Sequence, residues 1–103
     1  MMNEATFLRE KAFYDSLTVN SQTKRHYSSG LNSTFLHDYI KKEYKVNSVF
    51  EITDLSLLWD IYSYINLHPK NVLHHRCYSA PIMRYIRFLN DGKKYGKRID
   101  AKK

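Results

Sequence analysis

The sequence predicts an all-α fold, a compact bundle of four or five short helices. Three observations carry that expectation. Apolar residues recur three and four positions apart along most of the 103-residue chain, the period of a one-sided helix. Capping and breaking residues separate these stretches. No stretch has the strict alternation of a strand with two different faces. The length suits one domain, with about two-thirds of the unfolded surface buried in a single modest core. Hydrophobic residues at 43% and aromatic residues at 15% exclude a disordered or collagen-like chain.

The first helix is expected from about Glu4 to Leu17, with Phe7, Leu8, Tyr14 and Leu17 turned inward. Thr18-Val19-Asn20 breaks it, and Ser21 is placed to cap a second helix running to about Glu43. Tyr27, Leu31, Phe35 and Tyr39 step by four along that helix, and Leu36 and Ile40 widen the stripe. Gly30 lies within it at a cost of about 1 kcal/mol relative to alanine, which points to a close contact or a bend. Residues 44 to 48 form a polar connection, and Val49-Phe50-Glu51-Ile52 reads as an extended apolar plug. Asp54 or Thr53 caps a third helix, Leu55 to about Asn66, with Leu57, Leu58, Ile61, Tyr62 and Ile65 inward. Pro69 ends that region. A fourth segment spans about Asn71 to Asn90, with Tyr78, Ile82, Tyr85, Ile86 and Leu89 inward. Pro81 kinks it or restarts it near Ser79, and Gly92 stops it.

The net charge of +7 is unevenly spread. Residues 93 to 103 hold six Lys/Arg against one Asp, whereas residues 1 to 92 hold eleven against nine acids. The expected organisation is a helical domain over 1–92 and a flexible basic tail or linker over 93–103. Cys77 is the single cysteine, so no disulfide forms within the chain. Without a secretion signal or a run of about 20 apolar residues, a soluble cytoplasmic protein is expected.

Most catalytic chemistry finds no support. Asp54 is explained by capping, and Asp60 lies opposite the apolar stripe, which leaves no acid pair. Cys77, near His74 and His75, reads as a small half-buried hydrophobe rather than a nucleophile. His74, His75 and Cys77 lack the second ligand pair of a structural zinc site, and no glycine-rich phosphate loop is present. No metal, cofactor, small-molecule substrate or membrane partner is therefore expected. Tyr27, Tyr39, Tyr62, Tyr78 and Tyr85 are assigned to core faces; Tyr44, Tyr64 and Tyr95 fall outside them. Trp59 should be partly buried or serve as a protein contact.

Two segments remain. Ser21, Gln22, Thr23, Lys24, Arg25 and His26 open the second helix, and Asn71, His74, His75 and Arg76 open the fourth. Helix starts carry free N–H groups and partial positive charge that suit phosphate. On one end of the bundle they make a DNA-binding patch; otherwise they are capped ends with solvated first turns.

The order of segments resembles the SAM-like, core-binding domain that precedes the catalytic domain of tyrosine recombinases, the phage-type integrases. The residues that carry the resemblance are Phe7 with Leu17, then Ser21-x-Thr23-x-x-x-Tyr27-x-x-x-Leu31 on to Phe35 and Tyr39. Val49-x-x-Ile52-Thr53 before Leu57-Leu58 follows, then His75, Tyr78, Ser79, Ala80 and Tyr85-Ile86-x-Phe88-Leu89. The match covers roughly residues 4 to 90. Similar small helical domains also precede nuclease domains in restriction-like proteins. The resemblance implies a SAM-like, non-catalytic module that clamps double-stranded DNA with its second and fourth helices, for DNA integration and recombination. A downstream catalytic domain would do the chemistry. The implied DNA contacts are Thr23, Lys24, Arg25, Tyr27, Asn71, His74, His75 and Arg76. The alternative is a helical protein-interaction module built around Trp59 or the third helix.

Overall fold

A computed structural model describes the backbone of residues 4–102 and the side chains of residues 4–91. The described residues form six α-helices and one 3-10 turn, with no strand: α1 (Glu4–Ser16), α2 (Ser21–Leu31), α3 (Thr34–Tyr44), the 3-10 turn (Val49–Glu51), α4 (Leu55–Leu67), α5 (Pro69–Leu73) and α6 (Ser79–Lys102). The molecule is an all-α bundle, as expected, with more helices than the periodicity suggested. Among the described residues no helix is long and apolar enough to cross a membrane.

The extra helices come from polar side chains that compete for backbone groups. The segment read as one helix over 21–43 is two, broken at Asn32-Ser33. The Asn32 amide donates to the Ser28 carbonyl at 2.9 Å and closes α2. Ser33 then caps α3, its hydroxyl accepting from the Leu36 N–H at 3.2 Å and donating to the Gly30 carbonyl at 2.8 Å. The cap of α2 is Asn20 rather than Ser21, its side-chain oxygen accepting from the Thr23 N–H at 2.8 Å.

The fourth segment also divides. His68 caps α5 by accepting from the Lys70 N–H at 3.1 Å, and Pro69 occupies its first position. A missing N–H costs nothing there, so Pro69, which follows the end of α4 at Leu67 as expected, also opens a helix. A turn over 74–78 follows, and Pro81 falls in the first turn of α6, the restart alternative. The expected stop at Gly92 does not occur: α6 extends to Lys102. Tyr95 and the basic side chains of 93–103 lie outside the described residues.

The plug at 49–52 enters the core, but as a 3-10 turn rather than an extended strand. A capping box winds it. The Glu51 carboxylate accepts from the Ser48 N–H at 2.9 Å, and the Ser48 hydroxyl accepts from the Phe50 N–H at 3.2 Å. Asp54 caps α4 as expected.

Leu58, Ile61 and Ile65 of α4 pack with Ile82, Tyr85 and Ile86 of α6, all buried. Each such side chain contributes about 1.5–3 kcal/mol. Leu57, expected inward, is exposed, and of the five tyrosines assigned to the core only Tyr85 is fully buried. Helix α1 departs furthest from expectation. Phe7 is 56% and Leu8 54% exposed, while Thr6 and Phe13 are buried. Its inner stripe runs Thr6, Arg9, Glu10, Phe13, Leu17, so the middle is polar and no apolar period reveals it. Arg9 fits by donating to the Phe50 carbonyl at 2.5 Å. Phe13 centres a cluster with Tyr14, Phe50, Tyr85 and Phe88, its ring 5.1 to 5.7 Å from each of theirs.

A second set of rings runs outside this cluster. Tyr44 meets Tyr39 at 6.1 Å, Tyr39 stacks on Tyr64 at 4.3 Å, and Tyr64 meets His68 at 5.7 Å. His68 meets Phe35 at 4.7 Å, Phe35 meets Tyr78 at 4.9 Å, and Tyr78 meets His74 at 5.9 Å.

Candidate functional site

A groove of about 500 Å³ opens between α2 and the 74–78 connection. The α2 wall is Thr23, His26, Tyr27 and Gly30, spaced as one helical face, with Ser29 and Ser33 beside it. His74, His75, Arg76, Cys77 and Tyr78 form the other wall. The two segments singled out in the sequence therefore meet, and Thr23, Tyr27, His74, His75 and Arg76 come together.

The opposite wall is not the helix start that was expected. His74 follows the end of α5, and His75 and Arg76 have φ of 55° and 63°. Left-handed geometry in residues with a β-carbon costs about 1–3 kcal/mol each, so other bonds must hold this turn. Asn71 supplies them. Its carbonyl accepts from the Arg76 N–H at 2.8 Å. Its side-chain oxygen accepts from the N–H groups of Tyr78 and Ser79 at 3.2 and 3.0 Å. Its amide donates to the Ser79 hydroxyl at 3.0 Å and the Asn66 carbonyl at 3.4 Å. Asn71 is wholly buried, which corrects its assignment as a DNA contact: its side chain builds the wall.

Gly30 sets the distance between the walls. A β-carbon there would fall on the Cys77 carbonyl oxygen and lie 3.5 Å from Pro81 Cγ. This is the close contact that a glycine within the helix suggested.

Thr23, His26 and His75 give the groove donors, Arg76 adds positive charge, and no Asp or Glu is among the described residues that line it. Arg76 donates to the Asn66 side-chain oxygen at 2.6 Å and stays exposed. Lys24, half-buried, and Arg25, exposed, lie on α2 but do not line the groove. The one ion pair among the described residues is Lys11–Asp15, so none of their carboxylates pairs with Lys24, Arg25 or Arg76. Burial pushes the Cys77 thiol pKa up, the wrong direction for a nucleophile. His74, His75 and Cys77 do not assemble into a metal-holding cluster among the described residues.

Ser29, Gly30 and Ser33 extend the site beyond the two segments picked from sequence. A signal existed, because Thr23, His26, Tyr27 and Gly30 recur at helical spacing as a face without aliphatic residues. No family model, curated protein or solved structure matches the chain.

Proposed function

We propose that the chain is a non-catalytic domain that binds double-stranded DNA. The parent that its helix order fits is an integrase-like tyrosine recombinase, with this chain as the SAM-like core-binding module. The observation that carries the reading is the groove. Two separate segments bring three imidazoles, a guanidinium and several hydroxyls to one surface free of carboxylate. Phosphodiester oxygens only accept hydrogen bonds, and a surface of donors and cations is their complement. Lys24 and Arg25 extend the cationic edge along α2.

The test is a duplex titration at two salt concentrations. Three phosphate contacts, by Lys24, Arg25 and Arg76, imply about a forty-fold loss of affinity between about 50 and about 200 mM salt. Lys24→Ala with Arg76→Ala should weaken binding and flatten the salt slope by about two, with the thermal midpoint nearly unchanged because Arg76 is exposed and Lys24 only half-buried. No binding by the full chain at the lower salt ends this reading.

One observation favours a second reading, a protein-interaction module. Trp59 is 46% exposed and borders a cleft of about 290 Å³ with Leu55, Met83 and Ile86. A buried tryptophan is a frequent anchor of interfaces, and Trp59→Ala should leave duplex affinity unaltered if DNA is the partner.

A further inference from the structure

We infer that the groove between α2 and the 74–78 connection receives a single unstacked nucleotide, its base against the tyrosine and imidazole rings and its phosphate against Arg76. The inference rests on the DNA reading and adds what the concave part of that surface holds.

Shape is the first argument. A stacked duplex presents convex phosphate ribbons, and gripping them requires cations on a surface but no hollow. This hollow, about 500 Å³, falls in the range of pockets that enclose small ligands, about 300–1,000 Å³. Its lining includes the rings of Tyr27 and Tyr78, which a phosphate ribbon alone would not use.

Chemistry is the second. Tyr27 on one wall and Tyr78 on the other line the groove together with His26, His74, His75 and Arg76. Unpaired bases bind proteins by stacking on aromatic rings beside a cationic backbone track. An acidic peptide would engage the cations and leave the rings idle. A neutral apolar ligand would do the reverse. A nucleotide uses both.

Rigidity is the third. The wall that carries His75 and Arg76 holds two left-handed residues, fastened by wholly buried Asn71. Gly30 against the Cys77 carbonyl fixes the facing helix to it. The hollow therefore exists before a guest arrives, and little binding energy is lost in ordering it.

The experiment compares the full chain on two labelled duplexes that differ by one extra, bulged nucleotide, with 2-aminopurine as the bulged base. The expected result is about ten-fold tighter binding of the bulged duplex, the size of one base stacked on an aromatic ring, with quenched 2-aminopurine emission. The ratio of the two affinities is the readout, so a general loss of DNA affinity cancels. Tyr27→Ala should bring the ratio near one. Ser29→Trp should do the same by filling the groove from an exposed position, which covers the case that Tyr27→Ala unfolds. Equal affinities with unquenched emission overturn the inference and leave the duplex reading standing. A preference that survives both substitutions also overturns it, because the bend of the bulged duplex is then what is read. Binding to neither duplex removes both readings.

Discussion

The carboxamide of Asn71 makes four hydrogen bonds where no solvent reaches, and the backbone carbonyl of the same residue makes a fifth contact with the strained turn. Replacing it with leucine preserves volume but orphans two N–H groups. A loss of about 2–4 kcal/mol follows, measurable as a lowered urea midpoint, and the groove should lose its ligand with it. Gly30→Ala has an opposed pair of effects. Alanine favours the helix by about 1 kcal/mol, but its methyl group meets backbone at the Cys77 carbonyl, which cannot swing aside. The net effect is destabilising, and a rise in thermal midpoint would contradict the contact. Asn71 was not legible as a structural residue. A polar side chain near a helix start reads as exposed, and only the turn folding back over it buries it.

At the level of elements, α1 separates periodicity from burial most sharply. Phe13→Ala should cost about 3–5 kcal/mol, whereas Phe7→Ala should fall within about 0.5 kcal/mol, both by denaturant titration. Similar cost at the two positions would mean that α1 packs in another register. The existence of α1 was legible, but not its inward face, because Arg9 and Glu10 occupy the middle of the buried stripe and partial burial pushes the Glu10 carboxyl pKa up. The division of α2 from α3 was hidden differently. Tyr27, Leu31, Phe35 and Tyr39 keep a four-residue step across a break made by Asn32 and Ser33 hydrogen bonds. Pro69 and Pro81 were legible as punctuation; that both open helices follows from where His68 and Asn71 place their bonds.

For the molecule as a whole, the all-α class and the α4–α6 core were written in the apolar spacing, since these faces are aliphatic or aromatic throughout. The meeting of Thr23 and Tyr27 with His74, His75 and Arg76 depends on long-range packing, which spacing alone does not reveal. The centre of the core also makes the fold sensitive to alkali. Burial raises the Tyr85 hydroxyl from its ordinary value of 10.0 to about 12, with Arg9 opposing the shift. The unfolded chain therefore gives up this proton first. Stability holds below about pH 10, falls as pH rises toward about 12, and levels beyond it. Tyr85→Phe should reduce that slope in urea midpoints taken across the same range, at a cost of its 2.9 Å bond to the Ile52 carbonyl.

The seven rings from His74 through Tyr78, Phe35, His68, Tyr64 and Tyr39 to Tyr44 touch in unbroken succession. Each sits in the magnetic field of its neighbour, so the protein carries a built-in gauge. A guest that tilts His74 or Tyr78 alters the aromatic proton resonances along the line as far as the last residue of α3, and occupancy can be followed without attaching any label.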